Sequence, residues 1–377
     1  MSFLTDFTRD IPRGVSTRFL SEQTVPQARW LDPAAIIGAA PLAYDPDAPG
    51  RKILIGAIGD RLIGIDDNRH ILTCAGSRTG KSVTLVANLF FYPGSVLALD
   101  PKGELANLTA MRRAALGQDV CVLDPFGVCG DHVAPYRRRY NPLAVLHPRS
   151  RSVIEDAGLI ADALVVPAGQ DPHWDESARN RIEGLLLHVA TAPAFEGRRT
   201  LVTMRALLRD ALLADDDDED FYALERAMLR HAQICAREPA TADLANAIES
   251  AAREFYEKPD KERASVLSTA RRHTKFIDYQ AMRDVLSGHD FDLSDLKRHA
   301  KTVYLCLPAS RMGLCNRWLR LFVNQLLDAM EREKTRPPAP VLACLDEFPV
   351  LGHMRQLEDA AGQIASFDVK LWVFLQD

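Results

Sequence analysis

Nowhere does this chain hold an uninterrupted apolar run of about 20 residues, the length a membrane-crossing helix needs. Its first residues, MSFLTDFTRDIPRG, also lack the charged-then-apolar layout of a secretory signal. The reading is a soluble chain. A cysteine framework is missing too: the seven cysteines are odd in number and contain no C-x-x-C pair, which argues against a disulfide scaffold and a zinc site. Cys74, Cys121, Cys306 and Cys344 lie in apolar, strand-like runs, where a thiol is expected to pack as a small hydrophobe in a reducing cytoplasm. Strong charge of one sign is likewise absent. A net charge of -5 attracts neither nucleic acid nor anionic lipid to the molecule as a whole, so any DNA contact must come from local patches.

What the chain does have is centred on residues 71–86, ILTCAGSRTGKSVTLV. A short apolar run enters a loop of small residues that opens into an amphipathic helical pattern at Lys81. Ala75, Gly80, Lys81 and Ser82 fit A-x-x-x-x-G-K-S, with Gly76, Ser77, Arg78 and Thr79 between them. Small residues let successive backbone N–H groups curl around a polyphosphate at a helix N-terminus. Lys81 then reaches the β- and γ-phosphates, and the Ser82 hydroxyl ligates Mg²⁺. Ala75 replaces the first glycine of the pattern, and Gly76 beside it supplies the tight turn. An ordinary strand-to-helix turn is the competing reading, and the acidic motif described below weighs against it.

Around this loop the chain reads in segments. Residues 1–50 show no clear period and are expected to be irregular. Residues 51–67 alternate about Gly59-Asp60 as a hairpin. Strand and helix patterns then alternate, predicting a mostly parallel sheet covered on both faces. Asp100, Lys102, Glu104 and Asp124 fall at strand ends and are expected at the phosphate-loop edge, as site residues or as caps of turns and helices. Arg137, Arg138 and Arg139 read as a solvated loop face or a phosphate contact.

From residue 152 to 292 strand patterns vanish and helical periodicity takes over, with a single helix expected over 261–286. This predicts an all-α insertion at 152–292 within an α/β domain formed by residues 51–151 and 293–377. The acidic run at 215–220 and the basic segment Arg271, Arg272, His273 and Lys275 read as solvated surface, with partner docking as the alternative. The α/β pattern resumes at 301–307. A second apolar run, 341–345, then ends in Asp346-Glu347. Beside a phosphate loop, such a strand delivers Asp346 to Mg²⁺ and lets Glu347 polarise a water for attack on the γ-phosphate. Gln376, at the tip of the last apolar run, reads as a sensor of the γ-phosphate or the water, or as a plain strand end.

The motifs SRTGKSV, PGSVLALDPKGEL, VLDPFG, YNPL, HWDESAR, LDEFPVLGHM and KLWVFLQD, in this order over residues 52–377, resemble the TraG-like coupling ATPases of type IV secretion and conjugation systems. FtsK and HerA motors are more distant relatives. The resemblance implies a RecA-like P-loop NTPase that forms a hexameric ring and uses ATP and Mg²⁺. By position, Lys81 and Ser82 bind phosphate and metal, Asp346 holds the metal, Glu347 is the base and Gln376 the sensor. It implies ATP-driven delivery of relaxase-bound single-stranded DNA, or of effector proteins, to a secretion channel. The implied location is cytoplasmic, at the inner membrane. Members commonly begin with membrane helices and continue beyond the strand that ends here, so a truncated form with an exposed sheet edge is expected. Arg69 is the candidate for an arginine acting in trans. Two other functions stay open: a duplex-DNA translocase of the FtsK or HerA kind, and a cargo adaptor that binds nucleotide and scarcely hydrolyses it.

Overall fold

The computed structural model describes residues 31–76, 79–167, 172–211, 222–360 and 362–375. The segment expected to be irregular contains helix α1 (Pro33–Gly38), followed by a 3₁₀ turn at Ala40–Leu42. Its start carries an Asp-Pro cap, with the Asp32 carboxylate accepting from Ala34 N at 3.0 Å and proline at the first helical position. Strands β1 (Ile53–Ile58) and β2 (Arg61–Ile65) form the expected hairpin, turning at Gly59 with φ +61°. The fully buried Asn88 ties that hairpin down, donating to Leu54 O and accepting from Leu54 N, both at 2.8 Å.

A second sheet carries the architecture. Strands β3 (Ile71–Cys74), β4 (Val96–Asp100), β5 (Asp119–Leu123), β6 (Lys301–Cys306), β7 (Val341–Leu345) and β8 (Val369–Leu375) lie in the order β3-β8-β7-β4-β6-β5. Every pairing in it is parallel. Side chains alternate faces along a strand, so each strand contributes to two cores. Val96, Ala98, Val120, Val122, Tyr304 and Cys306 meet α2 (Lys81–Phe91) and α3 (Glu104–Ala115) on one face. Leu97, Leu99, Cys121, Leu123, Val303 and Leu305 meet a much larger helical mass on the other. Burial on both faces explains why these strands read as continuous apolar runs.

That helical mass is α4 (Val153–Leu164), α5 (His173–Thr191), α6 (Leu201–Asp210), α7 (Ala223–Cys235), α8 (Ala242–Tyr256), α9 (Asp260–Thr274) and α10 (Gln280–Leu286), followed by the short α11 (Asp295–Arg298). With it pack the long α12 (Ala309–Arg332) and the short α13 (Arg355–Ala360). The single helix expected over 261–286 is two. The chain passes through a 3₁₀ turn at Lys275–Asp278 and an extended Tyr279 before α10. Arg205 of α6 holds the break, donating to Arg271 O and Thr274 Oγ1 and pairing with the Asp278 carboxylate. No helix among the described residues is long and apolar enough to cross a membrane.

The basic clusters lie largely at the surface, as expected, and several of their side chains are tied by polar contacts. Arg139 pairs with Asp290 at 3.0 Å, and Arg137 donates to Cys129 O at 3.2 Å. Arg271 caps the end of α6 through Leu208 O, and Arg272 and the buried His273 bond Asp175. Arg272 and Lys275 of that segment stay exposed. The acidic run at 215–220 lies outside the described residues. Cys121, Cys306 and Cys344 are buried as expected, but Cys74 is exposed because β3 is an edge strand.

Inside the helical mass, His188 Nδ1 and His231 Nδ1 face each other at 3.1 Å. Only one proton fits between the two nitrogens. Burial, then the neighbouring His231 and Arg181, pulls His188 down to about 3; burial and Arg199 pull His231 to about 4. Imidazoles whose folded pKa is depressed contribute stability that is present above the ordinary range near 6.5 and drains as pH falls toward those values. Thermal unfolding followed by circular dichroism should therefore show an acid loss of up to about 1.4 kcal/mol per pH unit for each histidine between roughly pH 6 and 4. His188→Gln and His231→Gln should flatten that slope; a slope identical to the parent protein would contradict the assignment.

Candidate functional site

In a parallel sheet all strand C-termini share one edge, and the site lies there. Leaving β3, Ala75 N donates to Leu375 O at 3.1 Å, which continues the β3–β8 ladder by one step. Thr79 Oγ1 donates to Gly76 O at 2.8 Å and closes the loop. Gly80 sits at φ +94°, ψ 10°, a left-handed conformation that glycine adopts without penalty, and its N-cap position starts α2 at Lys81. A loop of this form at a helix N-terminus turns donors and a favourable dipole toward an anion. Ser77 and Arg78 lie outside the described residues.

Lys81 crosses β8 to reach β7. Its Nζ lies 2.7 Å from Asp346 Oδ1 and 3.5 Å from Glu347 Oε1. Burial pulls the ammonium down, but the hydrogen bond and charge of Asp346, with the charge of Glu347, outweigh it and hold the Lys81 pKa above its ordinary value. Glu347 adopts φ +55°, ψ 40°, a left-handed backbone at a residue that is not glycine. Strain of this kind persists where the surroundings enforce it, typically at a working site.

Gly76, Gly80, Lys81, Ser82, Asp346 and Glu347 line one side of a cavity of about 580 Å³. The other side is the β4 end: Asp100, Lys102 and Glu104, with Leu105. Asp100 is buried and accepts from Ala106 N at 2.8 Å, so it caps α3 from beneath. Burial raises its pKa to about 6 against those backbone donors. Lys102 and Glu104 are exposed to the cavity. Gly103 must be glycine: φ is +66°, and a Cβ would stand 3.0 Å from both Cys129 Sγ and Val128 Cγ2.

The remaining expected residues fall elsewhere or outside the described residues. Asp124 follows β5, at the far edge of the sheet from β3. There it accepts from Val128 N and Cys129 N and pairs with Arg137 at 3.5 Å, a loop cap away from the cavity. Arg69 stands before β3, at the strand end opposite the loop, exposed and paired with Asp67. Gln376 lies outside the described residues; β8, which precedes it, ends beside the loop. Among the residues passed over in the sequence, Val83 and Leu105 also line the cavity. The available signal was their position in the first turns of α2 and α3, next to residues already singled out.

The donor set suits a magnesium nucleotide. Gly76 and Gly80 give a cradle open to backbone approach, Lys81 supplies a cation, and the Ser82 hydroxyl and Asp346 carboxylate supply oxygen ligands of the kind Mg²⁺ takes. Loop, helix, acidic strand end and parallel sheet together define an α/β phosphate-loop fold of the RecA-like kind.

The chain belongs to the family described as type IV secretory system conjugative DNA transfer, whose model matches residues 43–377. Conjugal transfer protein TraG of Escherichia coli is 28% identical over 322 residues, covering 82% of this chain and 48% of the relative. Type IV secretion system-coupling protein VirD4 of Bartonella quintana (strain Toulouse) is 26% identical over 338 residues, covering 88% and 50%. The chain thus spans about half the length of these relatives. Among solved structures, plasmid coupling protein TrwB with the ATP analogue ADPNP superposes with a TM-score of 0.58 at 13% identity, covering 94% of this chain and 74% of that one. TrwB with ADP and Mg²⁺ gives a TM-score of 0.54 at 15% identity, covering 82% and 64%. These likenesses show the shared fold.

The strain at Glu347 is measurable. Its carboxylate is substantially exposed, so the pair with Lys81 is screened and contributes little to stability, whereas left-handed backbone costs a residue with a Cβ about 1–2 kcal/mol. Glu347→Gly should raise unfolding stability by roughly 1 kcal/mol in urea titration. A destabilised variant would contradict the strain.

Proposed function

We propose that this chain is the ATP-hydrolysing motor part of a type IV secretion coupling protein. The observation that carries the reading is Lys81, on the phosphate-binding loop, held against both acids that end β7. This brings together a phosphate-binding cation, a metal-binding carboxylate and a second carboxylate that can act on water once Lys81 turns to phosphate, which are the parts in-line phosphoryl transfer requires. Membership of the conjugative DNA transfer family supports the biological setting.

In this reading the backbone of residues 75–80, Lys81 and Ser82 hold the triphosphate of ATP, and Ser82 and Asp346 hold Mg²⁺. When bound, the metal neutralises charge on the phosphates. Lys81 exchanges its carboxylate partners for phosphate oxygens, which frees Glu347 to orient and deprotonate the attacking water. Gln376 is assigned the role of γ-phosphate sensor. Residues 51–151 and 293–377 form the nucleotide-binding domain, and the insertion at 152–292 faces cargo, a relaxase with its single DNA strand or an effector protein. Copies assemble as a hexamer on the cytoplasmic side of the bacterial inner membrane, against channel components.

Steady-state ATP hydrolysis with and without single-stranded DNA tests this. Turnover should rise with DNA. Lys81→Ala should weaken nucleotide binding at least about tenfold. Glu347→Gln should bind nucleotide normally and lose roughly 100-fold or more in kcat. Normal turnover in Glu347→Gln would overturn the assignment of the base.

A further inference from the structure

Glu347 does not hold itself. The chain leaves it through a 3₁₀ turn, Phe348–Leu351, and a left-handed Gly352, so neither strand nor regular helix fixes its strained backbone. What holds this segment is one face of α12. Arg320, only 6% exposed, donates from Nη1 to Leu351 O and to His353 O, each at 2.7 Å. One helical turn earlier, Asn316 Nδ2 donates to Val350 O at 3.4 Å. One turn later, Asn324 O accepts from Gln356 Nε2 at 3.4 Å. Spacing of four places the three residues in a row on one face.

Arg320 is an unusual choice for stability alone. No carboxylate pairs with it among the described residues, and its Nε has no partner. A buried cation without an acid is costly, and here its hydrogen bonds go to carbonyls of the segment that carries Glu347.

The same helix reaches the insertion. Arg317 Nη2 lies 3.1 Å from Nδ1 of His273, on α9. A guanidinium only donates, so Nδ1 accepts and His273 donates from Nε2 to Asp175 Oδ1 on α5, at 2.8 Å. Arg272 joins the same carboxylate oxygen at 3.1 Å. Within the five residues 316–320, α12 therefore grips the segment after Glu347 with Asn316 and Arg320, and the insertion with Arg317.

We infer that Arg320 is a positioning residue for Glu347 and that α12 couples the nucleotide site to the helical insertion through the Arg317–His273–Asp175 chain. The inference rests on the nucleotide-hydrolysing reading for its effect on turnover, but the coupling itself requires only that the chain fold as described. A shift of the segment on nucleotide binding moves Arg320, and with it the end of α12 that holds His273. In reverse, cargo that moves α5 or α9 resets Glu347. Coupling of this kind is demonstrated by an element that both sites bias, not by proximity.

Amide hydrogen exchange on the full chain provides the test, with Arg320→Met, Arg320→Lys and Arg317→Met beside the parent protein, each with and without ADPNP and Mg²⁺. Without nucleotide, Arg320→Met should speed exchange in residues 348–354 at least tenfold, with Arg320→Lys intermediate and the circular dichroism spectrum unchanged. Arg317→Met should leave 348–354 protected and speed exchange in 172–178 and 268–275. Adding ADPNP and Mg²⁺ should change protection in both regions of the parent protein, and in 348–354 alone in Arg317→Met. In ATP turnover, Arg320→Met should lose at least tenfold in kcat with the affinity for ADPNP within threefold of the parent, and Arg320→Lys should recover part of the loss. Parental exchange in 348–354 of Arg320→Met overturns the positioning role, and a parental nucleotide response at 268–275 in Arg317→Met overturns the coupling. A parent protein that binds ADPNP without turning over ATP overturns the hydrolytic reading alone, because the exchange results judge the coupling independently. If Arg320→Met unfolds, Arg320→Lys decides: exchange in 348–354 at the parental rate overturns the role, and faster exchange supports it.

Discussion

The reach of Lys81 across β8 to Asp346 and Glu347 is the interaction on which the rest of the site depends. It links the loop after β3 to the end of β7, two strands that are neither adjacent nor near in sequence. Because every pairing in the sheet is parallel, both ends fall on one edge. The long crossovers such a sheet demands explain why so much helix lies between its strands. The Lys81 ammonium also offsets one of the two carboxylate charges in a half-buried place, where an unpaired charge would be costly.

The two faces of the sheet divide the work. On the phosphate-loop side, α2 and α3 begin beside the cavity. They are locked from behind by Arg113, fully buried, which donates to Leu89 O, Tyr92 O and Gly94 O at the end of α2 and to Thr302 Oγ1 on β6. On the other side, α4 and α12 join the sheet to the insertion helices in one continuous core. Such a core transmits displacement rather than absorbing it, because close-packed interiors compress little. This lends physical sense to α12 as the element between the cavity and the helices of residues 173–286.

Much of this was legible in the sequence for local reasons. The phosphate loop, the strand ending in Asp346-Glu347 and the hairpin at Gly59 each depend on a few neighbouring residues whose backbone needs are specific. The apolar strands were legible because burial on both faces leaves no alternation to hide them. Legibility failed where distant partners decide. The break between α9 and α10 carries no glycine or proline and is held by Arg205 from another helix. The arginines at 137–139 and 271–272 were legible as surface, but not their partners, Asp290, Asp175 and the end of α6. Asp100 and Asp124 have the same setting, an acid followed by proline at a strand end, yet one lies at the cavity and one at the far edge.

By itself the sequence determined the chemistry available to this protein: a small-residue loop with Lys81 and Ser82, an acid pair at a strand end, and a long helical interruption between the strands. Those features follow from local backbone preference and from hydrophobic period, which act over a few residues. Tertiary structure alone decided which acids face the cavity, that Cys74 lies on an exposed edge, that Glu347 takes a strained backbone, and that a buried arginine on α12 holds the segment behind it. Strand order and helix docking set those outcomes, and both arise from contacts between residues far apart in the chain, which no short stretch of sequence encodes.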